Sequence, residues 1–114
     1  MKHYHGITAS QGMLRSRIIK IQNENDFSRV SNGDILLVKK SFPGWVVPLM
    51  KAEGMICEVG GAFSHIAIIC REMNKPCITG IEGIFDELMD GEDVMIDGVK
   101  GEVLWYDKEA DTSK

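Results

Sequence analysis

A histidine that directly follows two glycines and a serine is the residue of this sequence best suited to chemistry. Gly60, Gly61 and Ser64 precede His65, and an apolar run at residues 66–70 follows it. An imidazole nitrogen can act as a covalent nucleophile. Glycines let the backbone approach a ligand closely, because they carry no Cβ atom. This order of residues indicates a histidine that accepts a phosphoryl group within a frame of Gly60, Gly61 and Ser64.

The residues after His65 predict the helix that would hold it. Apolar side chains recur at the spacing of one helical face, at positions 66, 69, 70 and 73. Ser64 is suited to cap the first turn, because its hydroxyl can accept a hydrogen bond from a free backbone N–H. Asn74 tolerates the left-handed conformation at a helix end, and Pro76 prevents continuation. We therefore expect a helix that begins at the histidine.

A strand, a glycine turn and a helix form a place where anions bind. Backbone N–H groups and the positive end of the helix dipole converge there, and phosphate is a typical ligand. The same dipole favours the neutral, nucleophilic imidazole. The residues alone also allow a plainer interpretation, in which His65 is a structural side chain at a helix end. Arg71 lies about 9 Å further along the helix axis, so we expect an ion pair or a docking contact from it.

Composition and length predict one ordinary globular domain. The chain has 114 residues, 44% of them hydrophobic and 26% charged, with a net charge of −4. A nucleic-acid or anionic-membrane surface would need a basic face, and a membrane span would need about 18 apolar residues in a row. The first ten residues lack the apolar region of a secretory signal. Three cysteines without CxxC spacing predict free thiols, and hence a cytoplasmic location.

The remaining segments predict a mixed α/β domain. Short apolar runs indicate strands at residues 17–22, 35–40, 55–59 and 77–81, and helices are expected at residues 45–52 and 82–90. Residues 92–106 predict a hairpin around Asp97–Gly98. Trp45, after a Pro-Gly turn, is expected in the core. The folded domain is predicted to span residues 1–106, followed by a polar tail at residues 107–114.

The histidine segment resembles the phosphohistidine domain, also called the swivelling or mobile domain, of the phosphoenolpyruvate-utilising enzymes. This family includes pyruvate phosphate dikinase, phosphoenolpyruvate synthase and Enzyme I of the sugar phosphotransferase system, and rifampicin phosphotransferases carry a similar module. Further likeness covers residues 6–12, 33–61 and 88–103. The matching residues around the histidine are Gly60, Gly61, Ser64, His65, Ala67, Ile68, Arg71, Glu72, Pro76 and Gly80.

The resemblance implies a single swivelling β/β/α domain in which Nε2 of His65 carries the phosphoryl group. Ile66 stands where many members have alanine, so it either alters docking or packs inward. Family members usually join this module to an ATP-grasp domain and to a barrel that binds phosphoenolpyruvate or pyruvate. Because 114 residues leave no room for either, both are expected on partner proteins acting in trans. Mg-ATP or phosphoenolpyruvate would bind there, and no cofactor is expected in this chain.

Two other functions stay open at this level. A non-catalytic binding or regulatory module would keep the fold without the transfer, although it would have little need for a histidine at the helix tip. A metal-binding protein could use His3 and His5 together with the cysteines, but no acidic residue lies near the histidines in sequence. Exposed histidines and buried, inert thiols are the simpler interpretation, so the favoured reading is a phosphotransferase component that is inactive without its partners.

Overall fold

The computed structural model describes residues 2–62 and 64–107. Within them the chain forms eight strands, three α-helices and one 3-10 helix at Glu24–Arg29. The strands are β1 Lys2–His5, β2 Ile7–Ser10, β3 Met13–Lys20, β4 Ile35–Val38, β5 Gly54–Cys57, β6 Cys77–Thr79, β7 Asp93–Asp97 and β8 Glu102–Tyr106. The α-helices are α1 Val46–Leu49, α2 His65–Glu72 and α3 Ile84–Glu87.

The strands form two sheets that share β3. In the first sheet, β1, β8, β7 and β3 are antiparallel neighbours. In the second sheet, β3, β4, β5 and β6 run parallel, and β2 is antiparallel to β6. Residues 13–17 of β3 pair with β7, whereas residues 18–20 pair with β4. One strand therefore passes from the antiparallel sheet into the parallel one.

A second connection joins the opposite sides of the two sheets. Strands β1 and β2 are separated only by Gly6, yet they lie at the two ends of the strand order. The Gly6 N–H donates to the carbonyl of Gly101 at 2.8 Å. A Cβ atom on Gly6 would lie 2.6 Å from the Thr79 carbonyl oxygen. The backbone at Gly6 is therefore in close contact with both sheets, which a larger residue would prevent.

Two apolar cores divide the molecule into three layers. One core lies between the two sheets, and it includes Ile18, Ile35, Leu37, Ile56, Ile78, Val94, Ile96 and Val103. The other lies between the parallel sheet and helices α1 and α2, and it includes Leu36, Val38, Met55, Cys57, Trp45, Leu49, Ile66, Ala67 and Cys70. The order is sheet, sheet, helices, so the predicted α/β class with β/β/α layering is confirmed.

Several predicted elements are present with different bounds. The strand predicted at residues 17–22 is the second half of β3, which begins at Met13. The helices predicted at residues 45–52 and 82–90 shorten to four residues each, α1 and α3. The hairpin of β7 and β8 is confirmed. Of the predicted tail, residues 108–114 lie outside the described residues. No helix in the described part of the chain is long and apolar enough to cross a membrane.

Candidate functional site

Ser64 begins α2 and organises the turn before it. Its hydroxyl oxygen accepts from the Ala67 N–H at 3.3 Å, and the hydroxyl donates to the Gly61 carbonyl at 3.0 Å. The backbone of Ser64 is extended, as a capping residue requires. At the other end Asn74 has φ 56°, the left-handed conformation. The predicted helix start and end are both confirmed.

Gly60 and Gly61 play different parts in the loop between β5 and α2. Gly60 has φ 154°, and a Cβ atom there would lie 3.5 Å from Cβ of Thr79 and 3.6 Å from Oγ of Ser64. At Gly61, no atom of the described residues lies within 4 Å of the corresponding position. Gly60 therefore packs against β6 and the helix cap, whereas the Cβ position of Gly61 points away from the other described residues.

His65 is exposed at the start of α2, and its ring contacts a buried aromatic side chain. The centroids of the His65 and Trp45 rings are 5.9 Å apart, and the planes are nearly perpendicular at 88°. Trp45 is only 6% exposed, so its predicted core position is confirmed. Sequence reasoning missed its contact with the histidine, because 20 residues separate the two in the chain. Ile66, the departure from the family pattern, is buried and packs inward.

Arg71 reaches back along α2 instead of pointing away from the histidine loop. Its guanidinium donates to the carbonyl of Ala62, nine residues earlier. The distance along the helix axis had suggested an ion pair or a docking contact, but a long side chain can fold back over a helical turn. Arg71 therefore ties the loop that precedes His65 to the body of the helix.

Thr79 is a second residue of this region that the sequence did not indicate. It ends β6, directly beside Gly60, and it is fully buried. Its Oγ1 atom has no hydrogen-bond partner among the described residues. Buried hydroxyls are nearly always paired in folded proteins. The Thr79 hydroxyl is therefore a buried polar group, unpaired within the described part of the chain, directly beside Gly60.

Two lysines lie at the same edge of the parallel sheet. Lys39 and Lys40 follow β4, and both are exposed. The Val59 N–H donates to the Lys39 carbonyl at 2.9 Å, which places Lys39 beside the loop that leads to the glycines. Ligands of parallel α/β sheets bind at the carboxyl ends of the strands. Lys39 and Lys40 bring two positive charges to that edge, where Glu58, which follows β5, brings a negative one.

The cysteines are free and buried, as predicted. Burial raises the pKa of Cys57 to about 11, and its thiol donates to the Val59 carbonyl at 2.9 Å. A hydrogen bond between the other two thiols raises the pKa of Cys77 and lowers that of Cys70. These thiols lie in the core beneath α2 and act as packing residues.

His3 and His5 lie on β1 and are exposed, which agrees with the simpler interpretation. The fold brings Glu102 of the neighbouring strand to them, with Oε2 at 3.8 Å from Nδ1 of His3 and 3.3 Å from Nδ1 of His5. The part of the chain that the structure describes contains no group of three or more histidine, cysteine or acidic residues arranged to hold a metal ion.

Comparison with known proteins places this arrangement in a family context. Residues 30–101 match the family described as PEP-utilising enzyme, mobile domain. An uncharacterized phosphotransferase of Bacillus subtilis is 35% identical over 101 residues, which are 89% of this chain and 12% of the relative. The phosphoenolpyruvate synthase of Pyrococcus furiosus is 33% identical over 96 residues, 84% of this chain and 12% of that protein. The chain thus spans about an eighth of the length of these relatives.

A solved structure supports the fold independently. The solution structure of Enzyme I (nEIt) superposes with a TM-score of 0.61 at 22% identity, and it covers 76% of this chain and 36% of that one. At this identity the likeness concerns the fold. The sequence match, by contrast, includes the glycine loop, the cap and helix α2. The chain belongs to the family of PEP-utilising enzyme mobile domains.

Proposed function

We propose that this protein is a phosphoryl carrier in which His65 is transiently phosphorylated and passes the group to an acceptor site in trans. The observation that carries the proposal is the position of the histidine. His65 is exposed at the N-terminal end of a capped helix, just after the loop that carries Gly60 and Gly61. A nucleophile at such a helix end meets backbone N–H groups and a positive dipole where the phosphoryl oxygens would lie.

The proposed transfer needs few side chains. Nε2 of neutral His65 attacks the phosphorus atom of the donor, a phosphorus–nitrogen bond forms, and the bond from phosphorus to the leaving oxygen breaks. The second transfer reverses the roles, with the histidine as the leaving group. Catalysis then depends on positioning and charge stabilisation. Ser64 contributes through the cap, because its hydroxyl is already engaged with Gly61 and Ala67.

The donor and acceptor sites are proposed to lie on partner proteins. The relatives are about eight times longer than the matched region, so the match accounts for one part of each relative. We assign nucleotide binding to an ATP-grasp protein and phosphoenolpyruvate or pyruvate binding to a barrel protein, so Mg-ATP or phosphoenolpyruvate would bind at those partner sites. The exposed Lys39 and Lys40 favour the approach of such anionic groups by long-range attraction.

The alternative function is a non-catalytic binding or regulatory module with the same fold. It would use the same exposed surface around α2 without any covalent step. The intact cap, loop and exposed imidazole are all present, and they favour the carrier function over this alternative. The two differ in one measurable property, which is the formation of a phosphohistidine.

The test is intact-mass analysis of the protein after incubation with native cell extract and either ATP or phosphoenolpyruvate. We expect one added phosphoryl group that is labile in acid and stable in base, and we expect His65→Gln to lack it. A double variant, His3→Gln with His5→Gln, is the matched control and should retain it. If no adduct forms with either donor while the protein still captures a partner from the extract, the regulatory function replaces the carrier function.

A further inference from the structure

We infer that Trp45 is a positioning residue that fixes the orientation of the His65 imidazole and thereby selects which ring nitrogen accepts the phosphoryl group. The inference rests on the proposed function for its biological meaning. The orientation of the His65 imidazole can be measured whether or not the cellular donor is known, so the inference is testable on the protein alone.

The contact between the two rings has the geometry of a specific aromatic pair. Aromatic rings favour edge-to-face arrangements with centroids about 4.5–7 Å apart, and this pair is nearly perpendicular at 5.9 Å. Trp45 is almost completely buried, whereas His65 is exposed. The indole therefore forms a fixed wall on one side of a ring whose other side faces solvent.

Among the described residues, Trp45 is the side chain recorded in contact with the His65 ring, and no hydrogen bond or ion pair to that ring is present there. Rotation about the bond to an imidazole ring is broad and roughly two-fold, so both ring nitrogens are readily exchanged in position. His65 is the first residue of α2 and has no neighbour from a preceding helical turn. Contact with Trp45 makes the two ring orientations unequal, so one nitrogen faces outward more often than the other.

Trp45 is itself held firmly relative to α2. The backbone N–H of Trp45 donates to the Phe42 carbonyl at 3.2 Å, which fixes the turn before α1. At the other end of α1, the ammonium group of Lys75 donates to the carbonyls of Leu49 and Ala52, both at 2.5 Å. Lys75 follows the end of α2. Lys75 therefore joins the C-terminal ends of α1 and α2, and burial in the core beneath the helices keeps the indole beside the imidazole.

The simpler interpretation is that Trp45 only fills the core beneath the helices. Loss of core packing would lower the stability of the domain and the amount of folded protein. It would not change the ratio in which the two nitrogens of a folded protein react. That ratio therefore separates a positioning role from a structural one.

The probe is phosphoramidate, which transfers its phosphoryl group to imidazole nitrogens. The phosphorus–nitrogen bond of the reagent breaks, ammonia leaves, and a new bond forms between phosphorus and Nδ1 or Nε2. The chain contains three histidines, so replacing His3 and His5 by glutamine leaves His65 as the one acceptor. Phosphorus NMR then distinguishes the two isomers, and the same protein in urea gives the ratio for an unpositioned ring.

We expect the ratio of the two isomers in the folded protein to differ from the ratio in urea by between about twofold and tenfold. This is the range that the energy of an aromatic pair contributes. Trp45→Leu should return the ratio to the unfolded value, whereas Trp45→Phe, which keeps a ring, should preserve the bias. Leu49→Val shortens a buried side chain of the same core without removing a ring, so it is the matched control and should leave the ratio unchanged. An unchanged ratio in folded Trp45→Leu would overturn the inference.

A second measurement decides the matter if Trp45→Leu does not fold. Trp105→Phe removes the other of the two tryptophans, so the remaining fluorescence reports on Trp45. Phosphorylation of His65 should change the emission of Trp45. The inference is rejected if the emission is unchanged and the folded wild-type protein gives the same isomer ratio as the protein in urea. The proposed function fails separately, when cell extract with ATP or phosphoenolpyruvate leaves His65 unlabelled although the isomer bias is present.

Discussion

The hydroxyl of Ser64 is used twice, once as an acceptor for the helix and once as a donor to the loop. Ser64→Ala removes both hydrogen bonds and should lower the free energy of unfolding by about 1 kcal/mol, the usual cost of a lost N-cap. Urea denaturation measures this as a lower midpoint with an unchanged slope. Ser64→Thr keeps the hydroxyl and should recover most of the loss. Equal midpoints for Ser64→Ala and the wild type would contradict this account of the cap.

The two glycines of the loop should respond differently to the same substitution. Gly60→Ala places a side chain on a backbone with φ 154°, and we expect a loss of about 1 kcal/mol or more. Gly61→Ala is the matched control, since its new methyl group meets open space, and its effect should stay within about 0.5 kcal/mol. Thermal or urea unfolding of the pair tests this. Equal losses at both positions would show that the backbone conformation of Gly60 does not penalise a side chain.

The sequence predicted the local part of the site but not its tertiary part. Ser64, His65 and Asn74 were placed correctly because capping and helix termination depend on neighbours within a few residues. Trp45 was correctly expected in the core, but its contact with His65 and the position of Thr79 were not predicted, because both arise from the pairing of β5 with β6 and from the packing of α1 on the sheet. Contacts of this kind join segments that are far apart in sequence, so neither segment carries a local pattern that predicts them.

At the scale of elements, the 3-10 helix Glu24–Arg29 carries a pH-dependent cap. The Asp26 carboxylate accepts from the Gln22 N–H at 2.8 Å and from Arg29 at 3.1 Å. The hydrogen bond from Gln22, more than the one from Arg29, lowers the pKa of Asp26. A carboxylate whose folded-state pKa is lowered stabilises the protein above its ordinary pKa of about 3.9, and this contribution is lost as the pH falls through the lower, folded-state value.

Asp26→Asn should therefore destabilise the protein by a constant amount between about pH 5 and pH 7, and by a shrinking amount below about pH 4. Urea midpoints across this range measure the difference from wild type. Asn23→Ala removes the other half of the capping box, where the Asn23 side chain accepts from Asn25. That side chain does not titrate, so its penalty should not depend on pH. A constant Asp26→Asn penalty down to pH 3 would contradict the assigned cap.

Elements whose apolar residues recur at a clear helical or strand spacing were predicted well, and elements without such a pattern were not. Strand β1 was missed, because Tyr4 alone among its four residues is buried. The first half of β3 alternates exposed and half-buried side chains, so it lacks the apolar run that identified the second half. Helix α1 is shorter than predicted. Its buried residues are the adjacent Pro48 and Leu49, and the helix ends directly after them.

At the scale of the whole molecule, closure of the two sheets depends on Gly6. A methyl group there would lie 2.6 Å from the Thr79 carbonyl oxygen and from a side-chain carbon of Ile81. Gly6→Ala should therefore cost about 3 kcal/mol or more, because a backbone contact of this kind cannot relax cheaply. Gly33→Ala, at a left-handed turn with open space around it, is the control and should cost about 1 kcal/mol. Equal losses for the two variants would mean that the sheets separate easily at Gly6.

The three-layer arrangement was predicted, whereas the means of closing it was not. The mixed α/β class follows from the short apolar strands and from the one-sided helix α2, whereas the β/β/α layering was implied by the resemblance to the phosphohistidine domain. The sheets are closed because two consecutive strands pair with different partners: β1 pairs with β8, and β2 pairs with β6. Sequence patterns report which face of a strand is buried, and they do not report which strand lies beside it.

The register that sets Lys2 opposite Trp105 also has a consequence for the order of folding. Joining segments about 100 residues apart costs about 4 kcal/mol of chain entropy, so this pairing gains little until the strands between them are in place. Pulse-labelled hydrogen exchange during refolding should find the amides of residues 2–10 protected after those of β4 and β5, and simultaneous protection would argue against it. During synthesis, β1 therefore stays unpaired until β8 has been made, and until then the core between the two sheets is incomplete.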